Sequence, residues 1–334
     1  MTQREQQILA MIEANPMISQ QELADKAGIT RSSAAVHISN LLKKGYIAGK
    51  GYVVRKGVYA AVVGGVNMDI GGHSHGTLVA ADSNPGTVSM SMGGVGRNIA
   101  HNLALLGADV RMLTAMGDDL YGQKIAAACT EQGIDMSHAL KLRDEATSTY
   151  LYITGPDGDM ALAVSDMQIA ERITPQYLMG NLSLLQNAQV VVADANIPAE
   201  SLEYLAENCT APLFVDPVST IKAEKLRPVL NRVHTLKPNR LEAELLSGVK
   251  IVSAADAEAA AKALLEKGVH RVFISMGAEG VYAADENKQR HMKRIDENKQ
   301  AFEHIGLACV WLDNVTDNNQ KYREQFYVVK FIDS

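Results

Sequence analysis

The sequence predicts an α/β fold with a mostly parallel sheet, covered by helices on both faces and preceded by a small helical domain. From residue 58 onward, continuous apolar runs of strand length alternate with helical patterns, which is typical of a parallel sheet. Several of these runs end in Asp, Asn or Gly, so polar groups would line one edge of the sheet. The first 57 residues contain helical patterns and carry a net positive charge, whereas the rest of the chain is net negative. We therefore predict two domains, residues 1–57 and 58–334.

Composition is that of an ordinary soluble globular protein. Of the 334 residues, 47% are apolar and 21% are charged. No apolar run approaches the roughly 18 residues of a membrane span, and the N-terminus has no apolar signal segment. Cys129, Cys209 and Cys309 form no pairing pattern, which favours the reducing cytoplasm. Neither an HExxH motif nor a histidine cluster is present, so no zinc site is expected.

The first 57 residues form a basic segment with three predicted helices. Eight Lys and Arg against four Asp and Glu give it a net charge of +4, whereas the remainder carries −10. Each helix follows a residue that favours the N-cap position, namely Thr2, Ser19 and Thr30. The third helix is predicted over 31–44. Two short β patterns at 46–48 and 52–54 then predict a two-stranded wing.

This order of elements resembles the winged helix-turn-helix modules of bacterial regulators. In such a module the third helix enters the major groove of DNA. The candidate base and phosphate contacts are therefore its exposed N-terminal side chains, Arg31, Ser32, Ser33 and His37. Further candidate phosphate contacts are Lys43, Lys44, Lys50, Arg55 and Lys56. DNA is thus a predicted partner, and a helical protein-contact module with solvated lysines is the alternative.

Beyond residue 57 the pattern predicts strands and helices in alternation. Buried strands are expected at 58–63, 110–115, 189–193, 213–215, 235–236 and 271–275. A further strand is expected at 87–92, and a hairpin at 147–154 and 161–164. Helices are expected at 99–106, 120–131 and 254–267, with another that begins after Asn239.

A glycine-rich turn, Gly93-Gly94-Val95-Gly96-Arg97-Asn98, connects the strand at 87–92 to a helix. Its three glycines let another group approach the backbone closely. Ile99, Leu103 and Leu106 give the following helix one apolar face, and Gly107 ends it. Free backbone N–H groups at the start of such a helix can hold a polar ligand, although a tight packing turn would explain the glycines equally well.

Several motifs in the body resemble those of the ribokinase or PfkB family of carbohydrate and nucleoside kinases. The glycine turn at 93–98 matches the family's first signature. Asn239-Arg240-Leu241-Glu242 matches its Asn-x-x-Glu motif, and residues 275–280 match its glycine turn on the nucleotide side. Within the family, the pseudouridine kinases are most similar at residues 82–86, 214–219 and 234–239. The resemblance covers about 58–285 and implies a ribokinase-like fold.

The resemblance also implies transfer of the γ-phosphoryl group of ATP to a sugar hydroxyl. Asn67 and Asp69 would hold sugar hydroxyls, and the same pocket would be lined by Gly93, Gly94 and Asn98. Nucleotide contacts would come from Asn239, Ser275, Gly277 and Gly280. Glu242, together with Asn239, would order the shell of a Mg²⁺ ion. Residues 147–164 would form a small β-lid over the sugar.

Each of these assignments has a structural alternative. Asp69 and Asn98 could cap local turns, and Glu242 could be a solvated carboxylate on a helix. Asp194 and Asp216 stand at the ends of two predicted strands, where capping of the next helix is an equal alternative to a role in the site.

One motif of the family is missing. A Gly-Ala-Gly-Asp turn should follow the strand after Gly280, where its N–H groups would hold the migrating phosphoryl group and its Asp would be the general base. Residues 285–300 instead contain Asp-Glu-Asn-Lys-Gln twice. Asp296 and Glu297 are candidate replacement bases, but no glycine turn precedes them. The domain is therefore atypical after about 285, and a frameshifted or decayed gene copy is an alternative origin of this tail.

Two functions remain compatible with these observations. The first is an ATP- and Mg²⁺-dependent kinase for a nucleoside or sugar, with pseudouridine as the expected substrate and its 5′-phosphate as the product. The second is a DNA-binding regulator whose kinase-like domain senses such a ligand. The missing motif favours the second, whereas the family resemblance favours the first, which is our prediction. A winged helix and a β-lid both favour a homodimer.

Overall fold

The computed structural model describes residues 1–15, 18–47, 58–286 and 289–292. The chain divides into two compact units between Val58 and Tyr59, one residue beyond the expected boundary. Each unit has its own apolar core. Within the described residues, no helix is long and apolar enough to cross a membrane.

The N-terminal unit contains three helices, which are α1 (Gln3–Ala14), α2 (Gln20–Ala27) and α3 (Arg31–Lys43). The three expected N-caps are confirmed, since the side chains of Thr2, Ser19 and Thr30 accept hydrogen bonds from backbone N–H groups three residues later. The core between the helices is built from Ile8, Ile12, Leu23, Ile38 and Leu41. Most of the wing predicted at 46–48 and 52–54 lies outside the described residues.

The second unit is built on a large, mostly parallel sheet, as predicted. Its strands are β1 (Tyr59–Val63), β4 (Asp109–Leu113), β6 (Ile134–Asp135), β10 (Val190–Asp194), β11 (Leu213–Asp216), β12 (Thr235–Leu236), β13 (Arg271–Ser275), β14 (Val281–Asp285) and β15 (Gln289–Met292). Within the described residues their order is β15-β14-β13-β12-β11-β10-β1-β4-β6. Only the pairs β13–β14 and β14–β15 are antiparallel.

Helices cover both faces of this sheet because alternate residues of its buried strands point to opposite sides. Val62, Val192 and Phe214 belong to the core on one face, with α4 (Val95–Leu105) and α5 (Leu120–Glu131). Ala61, Val191 and Val215 belong to the core on the other face. The helices there are α6 (Pro175–Gly180), α7 (Leu182–Asn187), α8 (Ala199–Asn208), α9 (Thr220–Ala223), α10 (Arg240–Ser247) and α11 (Ala254–Glu266). Residues Gln168–Arg172, Glu224–Arg232 and Gly277–Glu279 form 3-10 helices.

A separate four-stranded sheet forms the lid. Its strands are β2 (Asn67–Ser74), β3 (Gly86–Gly93), β8 (Thr149–Thr154) and β9 (Met160–Asp166), in the order β3-β2-β8-β9. The predicted hairpin supplies only two of these strands. The strand predicted at 87–92 also belongs to this lid sheet, and β2 was not predicted because Gly71 and Gly72 interrupt its pattern. A short parallel pair, β5 (Ala115–Gly117) and β7 (Leu140–Leu142), lies outside both sheets.

Candidate active site

The carboxyl ends of the central strands meet at one edge of the large sheet. β1, β10, β11, β12 and β13 are parallel neighbours, so the segments that follow them lie side by side. Backbone hydrogen bonds connect these segments, from Ala195 N to Asp216 O at 2.9 Å and from Lys237 N to Val215 O at 3.0 Å. Residues from distant parts of the sequence therefore line a single polar edge, as the strand-end pattern predicted.

Asn67 and Asp69 form the first pair of the site. The Asn67 Nδ2 donates to Asp69 Oδ1 at 2.5 Å, and Asn67 is buried with 5% of its surface exposed. Asn67 is paired with Gly93 across β2 and β3. A Cβ on Gly93 would overlap Asp69 Oδ2 and lie 2.8 Å from Asn67 Nδ2. The absence of a side chain at Gly93 therefore makes room for the Asp69 carboxylate.

The glycine turn also packs tightly against the end of β1. Gly94 has a φ of +100°, and a Cβ there would lie 2.5 Å from Gly65 O. A Cβ on Gly96 would lie 2.9 Å from Gly64 Cα. Close packing therefore explains Gly94 and Gly96, as one alternative of the sequence analysis stated. The other alternative, that the turn holds a polar ligand, stays a prediction.

Asp194 holds this turn against the sheet through hydrogen bonds. It is fully buried at the end of β10, and its Oδ2 accepts hydrogen bonds from Gly96 N at 2.6 Å and Gly65 N at 3.0 Å. Its Oδ1 accepts from Asn196 N at 2.9 Å. Burial raises the pKa of Asp194, and these hydrogen bonds oppose that shift. Asp194 therefore caps α4, which is distant in sequence, whereas the sequence analysis considered only the next helix.

Asn98 completes the predicted sugar side. It lies in the first turn of α4 and is half-buried, and its N–H donates to Gly94 O at 2.8 Å. The neighbouring Arg97 donates from Nη1 to Asn98 Oδ1 at 3.1 Å and to Met92 O of the lid at 3.4 Å. The fold thus brings the glycine turn together with the start of the lid. The residues predicted for the sugar pocket lie on these two elements: Asn67, Asp69, Gly93, Gly94 and Asn98.

The lid face that carries Asp69 also carries aromatic and polar side chains, which sequence reasoning missed. The register places Asp69, Gly71 and His73 on the same face as Tyr150 and Tyr152. The ring centroid of Tyr152 lies 5.9 Å from those of both His73 and Tyr150. Burial and the negative charge of Asp69 raise the pKa of Tyr152. Period-two alternation in β8 was the signal available, but it was used only to predict a hairpin.

On the predicted nucleotide side, Asn239 and Glu242 cap α10 together. The Asn239 Oδ1 accepts from Glu242 N at 2.9 Å, and Glu242 Oε2 accepts from Asn239 N at 2.8 Å. Glu242 Oε1 also accepts from Asn239 Nδ2 at 2.8 Å, and Glu242 is only 2% exposed. Because both carboxylate oxygens of Glu242 accept hydrogen bonds from Asn239, this carboxylate is better suited to contact a Mg²⁺ ion through an intervening water than to bind it directly. The described residues contain no group of three or more His, Cys, Asp or Glu side chains placed to hold a metal.

The second glycine turn follows β13 beside Asn239. Ser275 forms an isolated parallel bridge with Asn239, and its N–H donates to Pro238 O at 3.0 Å. Gly277 and Gly280 have φ angles of +59° and +96°, which favour glycine. A Cβ on Gly277 would meet nothing within 4 Å, so there is open space at this position. The fold therefore brings Asn239, Ser275 and the second glycine turn together.

An ion pair that the sequence analysis did not assign lies between the predicted sugar side and the predicted nucleotide side. Lys237 Nζ is 3.3 Å from Asp216 Oδ2, and both side chains are largely buried. Burial raises the pKa of Asp216, and Lys237 opposes the shift. The Asp216 Oδ1 accepts from Val218 N at 2.7 Å, and Val218 has a φ of +67°. A β-branched residue in this region is strained, which is typical of functional sites.

In the N-terminal unit, the predicted DNA contacts lie at the start of α3. Arg31 and Ser32 are exposed, and Ser33 and His37 are half-buried. The His37 Nδ1 is buried and has no hydrogen-bond partner in the described part of the chain. Lys44 differs from the expectation, because its amine lies 2.9 Å from both carboxylate oxygens of Glu5. Lys50, Arg55 and Lys56 lie outside the described residues, as do Asp296 and Glu297.

Comparison with known proteins identifies the family of each part of the chain. The model of the pfkB family carbohydrate kinases matches residues 59–301. The chain belongs to the pfkB family. A second model, for winged helix-turn-helix DNA-binding domains, matches residues 1–48. The fold is therefore ribokinase-like, with an N-terminal winged helix-turn-helix module, as the sequence motifs indicated.

Two relatives from Escherichia coli (strain K12) are similar over most of the chain. One is named uncharacterized sugar kinase YeiI and is 44% identical over 295 residues, covering 87% of this chain and 81% of the relative. The other is a pseudouridine kinase, 43% identical over 233 residues, covering 70% and 74%. A solved structure of Arabidopsis thaliana ribokinase in complex with ribose and ATP shares the fold, with a TM-score of 0.62, 20% identity and coverage of 71% and 78%.

Proposed function

We propose that this chain is a kinase that transfers the γ-phosphoryl group of ATP to a nucleoside or sugar, with pseudouridine converted to its 5′-phosphate as the specific reaction. The observation that carries the proposal is the Asn67–Asp69 pair above Gly93. Asn67 donates a hydrogen bond to one carboxylate oxygen of Asp69, and a carboxylate is an acceptor-only group of the kind that binds the hydroxyl hydrogens of a sugar. The similarity to a pseudouridine kinase supports the choice of nucleoside.

In the proposed reaction, the substrate hydroxyl oxygen forms a bond to the γ-phosphorus while the bond to the bridging oxygen of ADP breaks. The hydroxyl proton leaves to a base, and ADP departs as the second product. Asp69 orients the acceptor by binding its other hydroxyls. The lid face with Tyr150 and Tyr152 excludes water from the reacting groups. Asn239, Ser275 and the glycines at 277 and 280 hold the nucleotide, whose Mg²⁺ neutralises phosphate charge when bound.

The general base of this reaction does not come from the motif that the family uses. The Gly-Ala-Gly-Asp motif does not occur in the sequence, and the two replacement candidates lie outside the described residues. Loss of a general base typically lowers a rate by about 10²–10⁴-fold. A slow kinase is therefore the expected behaviour.

ADP release by the purified chain tests the proposal. The assay supplies Mg-ATP with pseudouridine, other ribonucleosides, ribose or fructose 6-phosphate. We expect release that depends on pseudouridine and falls to background in Asp69→Ala. Asp144→Ala, at an exposed turn position outside these motifs, is the matched control and should retain activity. No substrate-dependent release from a folded sample would refute kinase activity in this chain.

A regulator that senses the same ligand is the second candidate, favoured by the missing base and by the match to DNA-binding domains. In this case pseudouridine would raise the melting temperature of the chain without turnover and would change its affinity for DNA. Arg31, Ser32, Ser33 and His37 would contact the DNA. ADP release and ligand-dependent melting, measured on one sample, distinguish the two functions.

The lid also supports a homodimer in this proposal. The lid face opposite Asp69 is apolar, and its side chains are strongly exposed at Val88 (75%), Leu162 (62%) and Val164 (58%). Met90 and Leu151 lie on the same face. A second copy of the lid would cover this surface, because an isologous contact pairs an apolar patch with itself.

A further inference from the structure

Arg97 is a buried cation that is held only by neutral groups. Only 6% of its surface is exposed. Its guanidinium donates to Asn98 Oδ1 at 3.1 Å, Gln132 Oε1 at 3.3 Å and Met92 O at 3.4 Å. Its Nε has no hydrogen-bond partner within the described residues, and Arg97 takes part in none of the ion pairs found there.

This position is unfavourable for a cation on two grounds. Arg97 is the third residue of α4, so its charge lies at the positive end of the helix dipole. Burial of a charge without a counter-charge is also costly. The charge acts on its surroundings, since it lowers the pKa of His101 in addition to the larger effect of burial. An apolar side chain would fill the same space without these costs, so packing alone does not account for Arg97.

The guanidinium has one property that an apolar side chain lacks, which is that it can only donate hydrogen bonds. The atom of Asn98 that faces it must therefore be the oxygen. Without this contact, the two ends of an Asn side chain are nearly equivalent in shape and the amide can turn over. Within the described residues, Asn98 Nδ2 donates to no other group. The contact with Arg97 thus decides which end of the amide is available to a ligand.

We propose that Arg97 is a positioning residue that fixes the amide of Asn98, so that Nδ2 donates to an acceptor oxygen of the substrate, either a hydroxyl or a base carbonyl. The inference rests on the proposed kinase function and on the substrate role that the sequence analysis predicted for Asn98. Arg97 also joins Asn98 to the lid through Met92 and to the end of α5 through Gln132. The donor is therefore held at the junction of three elements before the substrate binds.

The first test needs no ligand. The side-chain NH₂ resonances of Asn98 are assigned by their loss in Asn98→Ala and then recorded in Arg97→Met. We expect the two protons to exchange slowly with solvent in the wild type, and in Arg97→Met to exchange faster and to have chemical shifts closer to those of free Asn. Replacement of an unpaired buried charge by an apolar side chain of similar size is commonly neutral or stabilising, so this variant should fold. Unchanged Asn98 resonances in the folded variant would overturn the proposal.

The second test is a double-mutant cycle on pseudouridine affinity, measured by calorimetry. Arg97→Met should weaken binding at least tenfold in the wild-type background and less than twofold in the Asn98→Ala background. Arg97→Lys keeps the charge but loses the fork that reaches both Asn98 and Gln132, and should also weaken binding. An equal loss in both backgrounds would mean that Arg97 does not act through Asn98.

Asn98→Asp separates positioning from a merely structural role. The new carboxylate would pair with Arg97, so the melting temperature should rise, whereas the lost donor should weaken pseudouridine binding at least tenfold. Parallel changes in stability and affinity would overturn the proposal. If the wild type binds no pseudouridine, the proposed substrate is wrong, and the Asn98 resonances still decide whether Arg97 orients the amide.

Discussion

The Asp194 carboxylate accepts a 2.6 Å hydrogen bond from the backbone N–H of Gly96, 98 residues earlier in the chain. The same oxygen accepts from Gly65, so one buried atom joins the end of β10, the end of β1 and the start of α4. A carboxylate suits this position because it offers several lone pairs and no donor. Its negative charge also lies at the positive end of the dipole of α4. Asp194 thereby fixes the backbone that shapes the predicted sugar pocket.

Asp194→Ala should strongly destabilise the second unit. Three backbone N–H groups would lose their acceptor, and each buried unsatisfied group costs about 1–3 kcal/mol. We expect the melting temperature, measured by calorimetry, to fall by at least roughly 6 °C, since each kcal/mol corresponds to about 2–4 °C in a domain of this size. Asp109→Asn is the control, because it removes an exposed carboxylate 3.9 Å from Arg111 and should change the melting temperature little. If Asp194→Ala has the same melting temperature as the wild type, the Asp194 carboxylate does not stabilise the glycine turn.

Gly94 and Gly107 allow a matched comparison of two glycines with positive φ. Gly107 has a φ of +83° and open space around it, so Gly107→Ala should cost about 1–2 kcal/mol for the backbone conformation alone. A Cβ on Gly94 would also lie 2.5 Å from Gly65 O and 2.7 Å from Val66 Cα. Backbone atoms cannot move aside easily, so Gly94→Ala should lower the free energy of unfolding by several kcal/mol more. Equal losses in urea denaturation would contradict this packing argument.

Much of this fold follows from local patterns, and the site follows from them only in part. β10 and β11 are buried on both faces, so their runs of apolar residues predicted them directly. β2 escaped prediction because its pairing with β3 and β8, and not its own composition, makes it a strand. Its place in the lid is what puts Asp69 beside Tyr152.

Contacts between distant residues account for the remaining differences. The Asn239–Glu242 capping box has a local spacing of three residues and was visible as a motif. The Asp194–Gly96 bond and the Asp216–Lys237 pair join residues that are far apart in the sequence, so no local pattern contains them. The resemblance to a kinase family identified the glycine turns but assigned no role to Arg97. The positioning role that we propose for Arg97 rests on its burial and on the chemistry of its neighbours.

In the N-terminal unit, the Glu5 carboxylate should make the free energy of unfolding depend on pH in the acid range. Hydrogen bonding from Thr2 N and from Lys44 lowers the pKa of Glu5 from its ordinary value of 4.5 to about 2. Because the folded-state pKa is below the unfolded value, the Glu5 carboxylate stabilises the folded unit above pH 4.5, and this stabilisation is lost as the pH falls towards 2. Hydrogen-exchange protection of α1 and α3 amides should fall in this window.

Glu5→Gln should remove most of that pH dependence, since its side chain does not titrate. Glu13→Gln, on the exposed side of the same helix, should leave the wild-type profile in place. Identical profiles for Glu5→Gln and the wild type would mean that another group controls the acid response.

Arg31 should contribute to DNA binding through a phosphate or a base at the start of α3. On a mixed-sequence 30-base-pair duplex, Arg31→Ala should weaken binding, and the slope of log K against log salt should become shallower by about 0.9 if the contact is to a phosphate. Lys26→Ala is the matched control, because the Lys26 amine lies 3.1 Å from Glu22 and its charge is already compensated. Equal effects of the two substitutions would argue against α3 as the DNA-contacting helix.

The apolar face of the lid should control oligomeric state. Leu162 and Val164 are exposed beside each other on β9, and Leu151 lies across from Val164 on β8. A buried, unpaired carboxylate is costly, so Leu162→Glu should convert a dimer to a monomer in sedimentation velocity at micromolar concentration. Leu120→Glu, at a position that is 65% exposed but on α5, is the control and should remain dimeric. A dimer that survives Leu162→Glu would place the interface elsewhere on the chain, and a monomeric wild type would refute the dimer itself.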